Sequence, residues 1–415
     1  MARTAAVKKA PAAKKNGNLQ TPPLPRAKPE SVGLSSARLK QLSEVLSREI
    51  AKGTIPGAVV MVGRRGKVAH FDALGQQDPA TKALMRPDSV FRVFSMTKPI
   101  TSVAVMQLVE DGKLLINDPV SKFFPAFARA EVGIPRDGKL HLTPAVREIT
   151  IQDLLRHTSG LVSHTIGTGP LQTMYAEAGI SARTRTNKEN AELLATLPLF
   201  CQPGSEWKYS RSTDLLGSVI EVVSGQTLGG YLTERILAPL RMTDTGFYID
   251  KDRAGDRLAE AFAHDPWTGE KVDHWSMTEK PALEAGGGGL VATAMDYARF
   301  AQMLANGGTL DGERIVGRKT LELMTSDHLG PAVKVESNLI PPGHGFGLGF
   351  AVRLQPGMAH YPGSVGQYFW GGRAGTQFWV DPAENLWALL MVQAPGQREY
   401  LRVLIRNLVY AAVES

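Results

Sequence analysis

Apolar residues recur at helical spacing across 35–51, at Leu39, Leu42, Val45, Leu46 and Ile50, and predict a helix with one buried face. Two short apolar runs follow at 56–63 and 67–71. The segment Arg64-Arg65-Gly66 divides them, and together they predict a hairpin. A nearly unbroken apolar run, 100–109, predicts a buried helix stopping at Gly112, because glycine is the residue on which helices most readily end. From there to about residue 330 the pattern is short helices, at 151–157, 190–197, 213–224, 231–237 and 293–306, joined by long Gly/Pro-rich connections. Strand signals return at 346–353, 376–381 and 386–392, and 398–413 has the pattern of a final amphipathic helix. Strands at both ends with helices between them predict an α/β (α+β) protein, its one sheet built from both chain ends around an inserted helical region. The expected division is 28–92 and 335–415 for the α/β domain and 93–334 for a mostly helical domain. Residues 1–27, rich in Ala, Lys and Pro, are expected to form a disordered basic tail.

Composition changes this picture little. The chain has 415 residues, 43% hydrophobic and 21% charged, which is globular and gives ample apolar material for a large core. Its single cysteine, Cys201, excludes an internal disulfide and suits a reducing compartment. No apolar run reaches the roughly 18–20 residues that span a bilayer, and no apolar segment follows the N-terminal charges as in a secretory signal. A cytoplasmic protein without a membrane partner is therefore expected. The net charge of +7 resides mostly in Arg3, Lys8, Lys9, Lys14, Lys15, Arg26 and Lys28. That segment holds no aromatic residue for stacking on bases, so no nucleic-acid partner is expected.

Ser95 and Lys98 form an S-x-x-K pair at the start of the 100–109 helix. Residues three apart share a helix face, so the lysine can reach the serine hydroxyl. Serine is a weak nucleophile that needs such activation, and the pair occurs in class A β-lactamases and penicillin-binding proteins. The alternative is an ordinary helix cap. A second copy, Ser205 with Lys208, follows Pro203-Gly204 and reads as a turn. The candidate base is Tyr209, which precedes the 213–224 helix. A tyrosine serves as a base only when nearby cations favour its phenolate, and Lys98 is the cation at hand; a core tyrosine is the alternative. In the third stretch, 369–376, Trp370-Gly371-Gly372 leads toward a strand. Glycines there let a backbone approach a ligand closely, although a plain turn would look the same. Gly286 to Gly289 reads as a loop that could line the site. The nine histidines form no H-E-x-x-H and pair with no C-x-x-C, so neither a metal nor a cofactor is expected.

These stretches, in this order, resemble the serine β-lactamase / penicillin-binding-protein-like superfamily, and within it the family VIII carboxylesterases, relatives of class C β-lactamases. Phe94-Ser95-Met96-Thr97-Lys98, Leu154-Leu155-Arg156-His157-Thr158-Ser159-Gly160-Leu161, the Pro-Gly-x-x-Trp-x-Tyr-Ser run ending at Ser210, and Trp370-Gly371-Gly372 carry the resemblance, which covers about residues 28–415. It implies a β-lactamase-like fold: an antiparallel sheet flanked by helices, an inserted all-helical domain, and the site between them. It implies Ser95 as acylated nucleophile, Lys98 as its activator, Tyr209 as general base and later acid, and an oxyanion hole from the backbone N–H groups of Ser95 and Arg373. Class C enzymes carry Tyr-x-Asn where this chain has Arg211, and Lys-Thr-Gly where it has Trp370-Gly371-Gly372. Both departures favour a small-molecule ester of neutral character over a β-lactam. The implied activity is hydrolysis of short-chain acyl esters. A β-lactamase, a D-amino-acid peptidase, an acyltransferase and a non-catalytic scaffold are the alternatives, and the sequence leaves oligomeric state open.

Overall fold

The structure, a computed structural model, describes residues 21–136 and 139–414. Its centre is one eight-stranded antiparallel sheet. The strands are β1 (Gly57–Arg64), β2 (Lys67–Asp78), β3 (Ala83–Leu84), β4 (His344–Phe346), β5 (Ala351–Arg353), β6 (Tyr368–Gly371), β7 (Gln377–Asp381) and β8 (Leu386–Val392). Their spatial order is β4-β5-β6-β7-β8-β1-β2-β3. The two ends of the chain meet where β1 pairs with β8, Ala58 opposite Val392 and Arg64 opposite Leu386. Every residue of β1 and β8 is buried, as a central strand covered on both faces must be.

Alternation along β7 fixes which helix covers which face, since successive side chains point to opposite sides. Phe378 packs on Tyr297 of helix Ala294–Ala305, ring centroids 5.0 Å apart. Trp379, its neighbour, lies under the Arg406 guanidinium of the last helix, Arg398–Tyr410, at 4.8 Å. That last helix also packs on the first, α1 (Ser36–Ala51). The 294–305 helix, grouped with the helical segment by the sequence reading, thus forms a layer of the sheet. Its Tyr297, Phe300 and Ala301 are buried, and its Gln302 accepts from the Trp387 indole at 2.7 Å. Helix α2 (Thr97–Glu110) and helix α3 (Ser212–Ser224), which come between β3 and β4 in chain order, pack on one another. α2 is buried almost all round, consistent with its continuous apolar run.

The tail expectation divides. Residues 1–20 lie outside the described residues; residues 21–27 do not form a free tail. Leu24 is 3% exposed. The Ala27 N–H donates to the Val68 carbonyl at 3.0 Å, and the Val68 N–H donates to Pro25 at 2.8 Å. Arg26 stacks on Phe71 at 5.2 Å, and Arg299 donates to the Pro22 carbonyl at 3.3 Å. Prolines suit this segment because it lies along the edge of β2, where few ladder donors are needed. Composition alone signalled disorder; one buried leucine and an available strand edge outweigh it.

Three further details differ from the sequence reading. The strand expected at 346–353 is two strands, β4 and β5, joined by a tight link in which Gly349 has φ +95°. Tyr368–Gly371, expected as the approach to a strand, is itself strand β6. A hairpin of Glu131–Arg136 and Lys139–Pro144 was missed, its strands carrying Pro135 and few β-branched residues. No helix among the described residues is long and apolar enough to cross a membrane.

Candidate active site

Ser95 sits in a 3-10 turn, Phe94–Met96, that runs directly into α2. Pro99 occupies the first turn of α2, where no intrahelical N–H partner is lost. The turn is held from several directions. Thr97 Oγ1 donates to the Phe94 carbonyl at 2.6 Å and accepts from the Leu290 N–H at 3.1 Å. The Tyr297 hydroxyl donates to the Met96 carbonyl at 2.9 Å. Phe94 has φ +45°, a left-handed conformation costing a non-glycine residue about 1–3 kcal/mol. Such strain persists only where surrounding contacts enforce it, and here it fixes the residue that precedes Ser95.

The i, i+3 geometry holds. Lys98 Nζ lies 3.4 Å from Ser95 Oγ and donates to the Gly287 carbonyl at 2.5 Å. It also stands 4.5 Å from the centroid of the Tyr209 ring. Lys98 is buried, and among the described residues it makes no carboxylate ion pair. Tyr209 is held by its neighbours: the Trp370 indole N–H donates to its hydroxyl at 3.4 Å, and the His157 ring packs at 4.8 Å. His157 is fully enclosed. Burial and the adjacent Lys98 charge hold its pKa well below the ordinary value, so it is a neutral support.

Gly372 lets β6 reach the Ser95 turn. A Cβ there would lie 2.2 Å from Thr376 Oγ1 and 2.5 Å from the Val93 carbonyl oxygen. Thr376 in turn donates to that same carbonyl at 3.3 Å. The chain just after Gly372 is thereby brought against the serine. Among the described residues, neither the Ser95 nor the Arg373 backbone N–H donates to any group.

Ser95, Lys98, Tyr209, Arg211, Trp370, Gly371, Gly372 and Arg373 all line one cleft of about 420 Å³. Every site residue named from the sequence is therefore brought together. Trp370 is 5% exposed, so it shows the cleft only an edge. Arg211 is tied to Asp214 at 3.2 Å, to His164 Nδ1 at 3.2 Å and to the Ser181 hydroxyl. The second S-x-x-K copy is not a pair. Ser205 donates to the Gln202 carbonyl at 2.7 Å, and Lys208 turns to Glu206 at 3.5 Å.

Sequence reasoning missed Asp214. Its carboxylate accepts from the Gly287 N–H at 2.9 Å and so fixes the residue whose carbonyl holds Lys98. It also missed Arg183, Trp275, Arg398 and Arg402 on the cleft walls. The glycine run at 286–289, read as a loop that could line the site, does so through Gly287, Gly288 and Gly289. Among the described residues no group of three or more His, Cys, Asp or Glu side chains could hold a metal ion.

A serine and a lysine on one helix start, facing a tyrosine across a cleft beside an antiparallel sheet, define the serine β-lactamase / penicillin-binding-protein class of fold. Residues 40–412 match the protein family described as Beta-lactamase, and the chain belongs to that family, as a family VIII esterase-like member. It is 36% identical over 352 residues to Protein Rv1367c of Mycobacterium tuberculosis, covering 82% of this chain and 86% of that protein. It is 31% identical over 407 residues to Esterase EstB of Burkholderia gladioli, covering 92% and 98%. The solved structure of EstCE1, described as a hydrolase with promiscuous acyltransferase activity, superposes with a TM-score of 0.72 at 27% identity, covering 90% of this chain and 99% of that one. These relatives support an esterase-type serine hydrolase.

Proposed function

We propose that the protein is a serine carboxylesterase that hydrolyses short-chain acyl esters through an acyl-enzyme on Ser95. The observation that carries this reading is the buried Lys98 ammonium, placed 3.4 Å from Ser95 Oγ and 4.5 Å from the Tyr209 ring. Ser95 Oγ attacks the ester carbonyl and passes its proton to Tyr209 acting as general base, with Lys98 Nζ 4.5 Å from the tyrosine ring centroid. The carbonyl π pair moves onto oxygen. The N–H groups of Ser95 and Arg373, free of other acceptors, stabilise that oxyanion. The C–O bond to the alcohol then breaks, and Tyr209 returns the proton to the leaving oxygen. Water gives a proton to Tyr209 and attacks the acyl-enzyme carbonyl; the acyl C–Oγ bond then breaks, Tyr209 returns the proton to Ser95 Oγ, and the acid leaves. The esterase name of EstB and the breadth of that similarity support the reaction class. The similarity to EstCE1 supports a variant of the second half-reaction in which an alcohol replaces water.

Ser95→Ala is expected to lower kcat on 4-nitrophenyl butyrate by at least ~10³-fold, in line with the loss of a covalent nucleophile. Ser205→Ala should remain within about twofold, since Ser205 lies outside the cleft. Mass spectrometry after treatment with a 4-nitrophenyl phosphonate tests the assignment. A label on Ser95 supports it; a label on another serine, or none, overturns it.

A further inference from the structure

Trp370 stands where the lactam-processing relatives have a lysine, which pointed to a neutral substrate. The rest of the cleft is cationic. Five arginines and Lys98 line it against a single lining carboxylate, Asp214. Three of those arginines are already engaged: Arg211 with Asp214, and Arg398 and Arg402 with Glu399 at 2.9 and 2.8 Å. Arg183 and Arg373 are not. Among the described residues neither makes an ion pair within 4.0 Å. The Arg183 guanidinium carbon lies over the Trp275 ring, 4.3 Å from its centroid, and its buried Nη2 has no hydrogen-bond partner. Arg373 is exposed at the cleft, next to the Gly371-Gly372 wall. Burial lowers the pKa values of His164 and His274, Arg211 adds to this at His164 and Arg92 at His274, and the Arg373 charge reaches both. Both histidines are therefore neutral. Arg183, Arg373 and Lys98 are the lining cations with no carboxylate within 4.0 Å among the described residues, Lys98 being committed to Ser95 and Gly287, and Glu279, the acid that acts on Arg183, stands beyond that distance.

We propose that Arg183 and Arg373 form an anion subsite, and that the ester this cleft takes carries a carboxylate. This rests on the esterase reading of the same cleft. A guanidinium held over an indole ring loses little further freedom on pairing with a carboxylate. A guanidinium with a buried, unpartnered N–H gains most from such a ligand, because its desolvation has already occurred. Low-dielectric walls focus the field of the remaining cations on the same space and draw an anionic ester in.

The test compares two pairs of esters on the whole protein. Mono-(4-nitrophenyl) glutarate is set against 4-nitrophenyl butyrate, and 4-carboxyphenyl butyrate against phenyl butyrate. The first pair places the anion in the acyl part, the second in the alcohol. In at least one pair kcat/KM is expected to favour the charged ester by roughly tenfold or more. The preference should shrink between 20 mM and 500 mM salt, as screening shortens to several ångströms. Arg373→Met and Arg183→Met should each lower the charged-to-neutral ratio by about tenfold. Ser95 labelling by the phosphonate reports that each variant is folded, and the exposed Arg373 carries the test if Arg183→Met is not. Turnover of the neutral esters without a charged preference, or a preference that survives both substitutions, overturns the subsite and leaves the esterase reading standing. No turnover of any of the four overturns both.

Discussion

Tyr209 is positioned by side chains rather than by its own helix: Lys98 faces its ring, His157 packs against it, and Trp370 donates to its hydroxyl. Replacing Trp370 with Phe keeps the aromatic wall and removes the donor. A neutral hydrogen bond contributes about 0.5–1.5 kcal/mol, so kcat on 4-nitrophenyl butyrate should fall by roughly 3–10-fold with an unchanged melting temperature. A loss confined to KM would show that Trp370 only shapes the pocket. At this scale the sequence was informative where chemistry is local. Ser95 and Lys98 are three residues apart on a helix start, a spacing that declares itself. The carbonyl that holds Lys98 belongs to Gly287, 189 residues away. Asp214, which fixes Gly287, has no motif of its own. Arg183 reads in sequence as one arginine among many, and only folding sets it on Trp275.

At the scale of elements, the approach of β6 to the Ser95 turn depends on Gly372. Gly372→Ala would place a methyl 2.5 Å from the Val93 carbonyl oxygen, a backbone atom that cannot swing aside. Strand and turn must then separate, and displacements of about an ångström at a reacting centre cost about 100-fold in rate. kcat/KM should fall by about that factor while near-UV circular dichroism shows a folded protein. The segment 21–27 gives a second case. Leu24→Ala deletes a buried side chain, and core truncations of this kind cost about 2–5 kcal/mol. Guanidinium denaturation should register at least the low end of that range; no change would mean that the segment does not pack in solution. Helices and strands with strong periodicity were legible to within a few residues: α1, β1, α3, β8 and the last helix. What escaped were elements whose stability comes from partners. The 131–144 hairpin and the packed 21–27 segment carry prolines and few strand formers, and β6 is only four residues long and ends in glycine; each is completed by a neighbouring edge or layer.

For the whole molecule, the histidines set a pH limit. Burial, with help from Arg92 and Arg373, lowers His274 to about 4, and burial lowers His344 to about 4. The unfolded chain takes up protons near pH 6.5, which the folded state refuses until about pH 4. Their contribution to stability is therefore complete above pH 6.5 and is lost as pH falls through that window, by roughly 1–3 kcal/mol per histidine. The melting temperature should decline between pH 6.5 and 4, and His344→Gln should flatten the decline. An identical profile would mean that His344 is solvated in both states. The pairing of β1 with β8 bears on how the protein is made. β1 carries Val59, Val60, Met61 and Val62, and its partner β8 begins only at Leu386, far along the chain. A nascent chain must therefore hold a bare, apolar strand edge until residues 386–392 have been made. Such edges are templates for intermolecular pairing, so the yield of soluble enzyme is limited by crowding of unfinished chains, and slower initiation or holdase chaperones should matter more to it than the stability of the finished fold.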